Sequence, residues 1–196
     1  YSALGVHPHF LSENNQLARL TKLATSKRNN IVAIGEIGLD DQIETSQVQQ
    51  IDVLKYQLEL AKTLTLPVIC HGHKSLDTLL KYLRLYRLPK GGVIHGFSGS
   101  LVQANEFIKL GFLIGVGGVI TYERANKTRR TVAQLPLDSL LLETDSPDMP
   151  LSGQQGRVNH PKNIPLIAQQ LALLHHTTID NIAQQTSENA KRLFLA

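Results

Sequence analysis

The strongest constraint on the fold is a repeated alternation, in which short apolar runs are separated by longer stretches of helical periodicity. Runs of this kind read as parallel strands, because a strand covered on both faces has no polar side to show. The strand candidates are Ala3 to Val6, Ile31 to Ile37, Pro67 to Cys70, Gly92 to Ile94, Phe112 to Val116 and Ser139 to Thr144. Helices are expected around Asn15 to Lys27, Gln47 to Leu64, Ser75 to Arg87, Leu101 to Leu110 and Arg124 to Gln134, with two more near Asn163 to His175 and Ile179 to Leu195. Ser100 and Gly111 supply start and stop signals for one helix, and Thr178 with Asp180 can cap the last. The class is therefore α/β. Polar residues recur just after the apolar runs, which favours a TIM-type barrel with its site at the C-terminal ends of the strands. A doubly wound sheet is the alternative, but no phosphate-binding glycine fingerprint follows a strand here. With 196 residues against about 250 for a full barrel, the expectation is one barrel domain over 1–196 that lacks about its first two strands.

Composition narrows the setting. The single cysteine, Cys70, excludes an internal disulfide and a multi-cysteine zinc site, as suits a cytoplasmic protein. No run approaches the roughly 20 apolar residues of a membrane-spanning helix, and no basic segment leads into an apolar one at the start. A net charge of +4 tolerates an anionic partner without demanding one. The basic residues are scattered apart from Lys127, Arg129 and Arg130, which read as a solvated helix face. The chain opens on Tyr1 and runs straight into an apolar stretch ending at Val6, as if cut at a strand.

Four strand ends carry a residue able to bind metal: Glu36, His71, His95 and Asp145. Any one alone reads as a hydrogen-bonded core residue or a loop cap. Their recurrence at equivalent positions changes that reading, because barrel strand ends converge on one mouth. Two histidines and two carboxylates make a mixed nitrogen and oxygen donor set suited to zinc or manganese, with magnesium also open.

The motifs resemble those of the TatD-like hydrolases, a family described as metal-dependent deoxyribonucleases. They are Gly5-Val6-His7-Pro8-His9, Gly35-Glu36-Ile37-Gly38-Leu39-Asp40, Gln57-Leu58-Glu59-Leu60-Ala61 with Leu66-Pro67-Val68-Ile69 and His71, His95-Gly96-Phe97-Ser98-Gly99, Glu143-Thr144-Asp145-Ser146-Pro147, and Glu188-Asn189-Ala190-Lys191-Arg192-Leu193-Phe194. The resemblance implies that Glu36, His71, His95 and Asp145 hold a divalent, often dinuclear, centre with the glutamate bridging. It also implies DNA as substrate; a monomer is expected when the chain is intact. The chain departs from the family pattern in lacking the His-x-His pair of its first strand, in lacking an aromatic after Asp40, in His73 where arginine is common, and in Gly96 where cysteine is common.

Other residues are weighed against plainer roles. His7 is a supporting site residue or a structural hydrogen-bonding group, with His9 a weaker candidate. His73 contacts a substrate phosphate or is an ordinary loop histidine. Glu143 and Asp145 are two apart, which by strand alternation puts them on one side, with Asp145 a ligand and general base and Glu143 behind it. Ser98 to Ser100 stand at a helix start that suits a phosphate or simply caps the helix. Arg157 lies in a polar loop, where it pairs with a phosphate or is solvated. The expected chemistry is phosphodiester hydrolysis by metal-activated water, with Asp145 taking the proton. Two alternatives stand beside it: an amidohydrolase-like enzyme acting on the carbon centre of an amide or lactone, and a catalytically impaired metal-binding protein.

Overall fold

The computed structural model describes residues 1–11, 16–26 and 30–195. Six parallel strands, β1 (Ser2–Leu4), β2 (Ile31–Asp40), β3 (Val68–His73), β4 (Gly92–Ile94), β5 (Phe112–Val116) and β6 (Leu140–Leu142), lie side by side in sequence order. They alternate with helices α1 (Gln16–Ser26), α2 (Gln47–Leu64), α3 (Leu76–Tyr86), α4 (Leu101–Lys109), α5 (Asn126–Val132) and α6 (Ile164–Leu174), and α7 (Ile179–Phe194) follows. Sequential order with every pair parallel is the arrangement of a (β/α) barrel wall. The expected ends of the first helix, Asn15 and Lys27, lie outside the described residues.

Two apolar layers hold the wall. Outward-facing residues such as Ile34, Ile37, Cys70, Ile94 and Ile114 pack against Leu54, Leu58, Leu79 and Phe107 of the helices. On the inner side Val93, Leu113 and Leu141 meet partly buried Ile69, closed from below by Leu193 and Phe194 of α7. Asn189, fully buried, donates to the carbonyls of Leu137 and Leu140 at 2.8 Å each, fastening α7 beneath β6. Its place in the C-terminal motif is thereby explained as structural. Local signals set the helix limits. Ser100 and Gln103 form a reciprocal capping box on α4, and Thr178 accepts from the Asn181 amide to start α7.

The sequence expectation needs correction at several strand ends. β1 stops at Leu4 because the Val6 amide and carbonyl are taken by the side chain of Gln57, at 2.7 and 3.0 Å, instead of a neighbouring strand. β2 and β3 run past Ile37 and Cys70 to Asp40 and His73 because they pair with each other, Gly38 opposite His71 and Asp40 opposite His73. Ser139 belongs to a 3-10 turn, and β6 ends at Leu142.

Cys70 is completely buried, and burial first, then the nearby Glu36 carboxylate, pushes its thiol far above the ordinary value. A thiol-directed reagent should therefore label native protein very slowly, with labelling accelerating only as denaturant unfolds the chain. Prompt labelling under native conditions would show that β3 opens independently of the rest.

Candidate metal centre

The centre is built on β2, whose Glu36 and Asp40 both reach the imidazole of His71 from one face of the strand. His71 Nδ1 lies 3.1 Å from Glu36 Oε1, and its Nε2 lies 3.0 Å from Asp40 Oδ2. The close pairing of β2 with β3 depends on Gly38, at φ +148°, where a Cβ would fall 2.0 Å from the His71 carbonyl oxygen. Glu36 Oε1 is also 3.6 Å from His7 Nε2 and 3.9 Å from His95 Nε2, so one carboxylate oxygen is shared by three imidazoles. His95 completes the group, with Nε2 at 3.1 Å from Asp145 Oδ1 and Nδ1 at 2.9 Å from Glu143 Oε2.

The structure thus brings Glu36, His71, His95 and Asp145 to one mouth of the barrel. It adds His7, whose Nδ1 accepts from the His9 amide at 3.2 Å, turning Nε2 toward Glu36. His9 and His73 gather on Asp40, at 2.9 Å and 3.2 Å. Arg157 is exposed on the loop after β6. Glu143 does not stand behind Asp145 as alternation suggested; it holds His95 and accepts from the Gly96 amide at 2.6 Å. Alternation fails because β6 has already ended and Asp145 sits in the left-handed region at φ +59°. Gly115 makes room for this carboxylate, since a Cβ there would come within 2.5 Å of Glu143 Oε2.

Asp40 was not singled out as a site residue from the sequence, although it ends its strand and lies four residues from Glu36, on the same face. Two buried glutamines on α2 were missed as well. Gln50 bonds both the amide and the carbonyl of Asp40, at 2.8 and 2.9 Å, while Gln57 grips Val6 beside His7. Seven residues apart, they project from one side of the helix and anchor the main chain under the two ends of the cluster.

The two inner histidines are oriented alike. Each turns one nitrogen toward Glu36 and gives the other to an outlying carboxylate, Asp40 for His71 and Glu143 for His95. Carboxylates placed in this way fix the tautomer and strengthen the imidazole as a ligand. The electrostatics match. Burial disfavours a charge on His95, yet Asp145 and Glu143 raise its pKa to about 11. Burial likewise opposes charge on His71, which Glu36 and Asp40 nonetheless raise. Burial also works against the charge of Glu36, but the imidazoles of His7 and His71 and the charge of His95 hold it well below the usual carboxylate range. Such a field favours positive charge at the mouth, and the nitrogen and oxygen donors fit a borderline divalent cation. The trios His7, Glu36, His71 and His9, Asp40, His71 each place three donor atoms within 4.8 Å of one another.

Glu143→Gln should lower metal affinity by about 10–100-fold, the usual effect of losing a partner that orients a ligand. A metal titration unchanged from the parent would reduce Glu143 to a packing role.

A parallel barrel with imidazoles and carboxylates converging at its C-terminal mouth defines an α/β barrel with a site suited to a metal ion. Comparison with known proteins agrees. The model of the family described as "TatD related DNase" matches residues 1–195. The chain is 46% identical to the uncharacterized metal-dependent hydrolase YjjV of Escherichia coli K12, over 99% of this chain and 76% of that protein. It is 39% identical to the 3'-5' ssDNA/RNA exonuclease TatD of Erwinia amylovora, over 99% of this chain and 78% of that one. The crystal structure of YjjV superposes with a TM-score of 0.96 over 100% of this chain and 77% of the other. The chain belongs to the TatD family, and it is a metal-dependent hydrolase with a TIM-type α/β fold.

Proposed function

We propose that the chain is a deoxyribonuclease that hydrolyses phosphodiester bonds of DNA at the Glu36 centre. The observation that carries this reading is the single Glu36 oxygen faced by His7, His71 and His95, with Asp145 beside the last of them. Support for the substrate comes from the family description and from the exonuclease relative. Glu36, His71, His95 and Asp145 would hold zinc, manganese or magnesium, with His7 as a further donor. When bound, divalent ions supply Lewis acidity at the phosphoryl oxygen and lower the pKa of water, and a pair can serve both the attacking and the leaving oxygen.

The chain's own residues do the rest. Glu143 and Asp40 keep His95 and His71 in fixed tautomers. Both oxygens of Glu143 are engaged, on His95 and on the Gly96 amide. Asp145 has only Oδ1 on His95, and its side chain is 44% exposed, so it is the carboxylate available to accept the proton of attacking water. Among the described residues no helix is long and apolar enough to cross a membrane. A buried, unpaired cysteine suits the cytoplasm, where we place the enzyme.

The test is to strip the protein with a chelator, reload it with manganese, magnesium or zinc, and offer end-labelled single-stranded DNA, duplex DNA, RNA, and amide and lactone panels. Metal-restored cleavage of single-stranded DNA is expected. Turnover of amides or lactones with none of the phosphodiesters would replace the reading with a carbon-centre hydrolase, and no turnover at all would leave a metal-binding protein.

A further inference from the structure

We infer that a single strand of nucleic acid follows one side of the barrel mouth, its phosphates on Lys74 and Lys127 and one base on the Tyr122–Arg124 pair. This rests on the nuclease reading and adds to it the path that the substrate takes across the protein.

Beside the metal centre, a cavity of about 500 Å³ is lined by His73, Lys74, Ser98, Gly99 and Lys127. It joins the centre through His73, whose Nδ1 contacts Asp40. Lys74 gives one hydrogen bond to Gln42 Oε1 at 2.8 Å, which leaves two of its three donors for a ligand. The acid in this cleft, Asp77, has its carboxylate on the Gln103 side-chain amide at 2.8 Å. Lys74 and Lys127 thus both line one cavity whose single acid already has a partner, which suits a phosphodiester.

Lys127 belongs to α5, and Arg124 lies three residues before it, in the turn that leads into the helix. There a second cavity, of about 350 Å³, is lined by Val119, Tyr122, Arg124, Met149 and Pro150. The Arg124 guanidinium sits 5.1 Å from the centroid of the Tyr122 ring, and the Tyr122 hydroxyl donates to the Pro150 carbonyl at 2.6 Å. Met149, 46% exposed, contributes an uncovered apolar side chain. Val119 and Met149 also line a small cavity that has Asp145 in its wall, so the shelf and the proposed base have two neighbours in common. A planar cation over an anchored ring, with apolar walls and a basic cleft along the same rim, is the combination that binds single strands without sequence preference. A base held in a duplex stack has no free face to offer such a shelf, so the path favours a single strand.

The experiment measures binding of a phosphorothioate single-stranded oligonucleotide to metal-stripped protein across a salt series, beside cleavage by the metal-loaded enzyme. Lys127→Ala and Lys74→Ala should each lower the slope of log affinity against log salt by about 0.7, one phosphate contact on a single strand. Tyr122→Leu should weaken binding about 5-fold or more, as loss of a base-stacking ring does, and should not further weaken an oligonucleotide made abasic at the shelf position. Tyr122→Phe, which keeps the ring but loses the hydroxyl bond to Pro150, should retain most of the parent's affinity, and a melting curve of Tyr122→Leu close to the parent's shows that its loss is not misfolding. If the parent cleaves single-stranded DNA but the salt slopes and the Tyr122→Leu affinity are unchanged, or if a duplex binds as tightly, the path is wrong. If the parent neither binds nor cleaves nucleic acid, the nuclease reading fails and the path falls with it.

Discussion

Asp145→Asn should reduce turnover by about 10²–10⁴-fold, the range for a lost general base, while the melting curve stays close to that of the parent. The substitution suits the site unusually well. Asp145 adopts φ +59°, a conformation that asparagine tolerates nearly as readily, so the loop keeps its course. The amide can still meet His95 but cannot accept a proton from water. Turnover measured at saturating metal separates lost proton transfer from weakened metal binding. Near-normal turnover would move the role elsewhere, and Glu143 would be a poor successor because its oxygens are already committed.

Glu36→Gln should have the larger effect on metal affinity, exceeding the 10–100-fold expected of an orienting partner. The charge removed is the one faced by three imidazoles, and the same loss withdraws negative potential from His71 and His95 together. Metal content after dialysis against a fixed free concentration measures this directly. Stoichiometry and affinity equal to the parent would mean that the cation sits elsewhere, with the Asp40 trio the first place to look.

Much of this architecture is legible in the sequence because it is written in local terms. The limits of α2 agree with the Gln47 to Leu64 read from helical periodicity, and Ser46 caps its start. His71 and His95 announce themselves by following apolar runs, Glu36 by interrupting one and Asp145 by coming shortly after one. What is not legible depends on contacts across many residues. Asp40 acquires its importance from His71, 31 positions away, through a strand pair that continues past the point where apolar character stops. His7 and His9 depend on a 3-10 turn over Pro8–Phe10 and on Gln57, 51 positions from Val6. Glu143 looks like the neighbour of Asp145 from spacing alone, and only the backbone turn after β6 reassigns it to His95.

The contact of Gly38 with the His71 carbonyl has a consequence for how such an enzyme can diversify. Because this approach is between main chains, the spacing of Glu36, His71 and Asp40 is a property of strand register and does not depend on the identity of the loop residues around them. Loops carrying Lys74, Tyr122, Arg124 or Met149 can then be exchanged without re-tuning the cation-binding floor. A protein engineer seeking a new substrate should leave β2 and β3 intact and randomise the rim, whereas a single methyl group at position 38 would disturb every substrate alike.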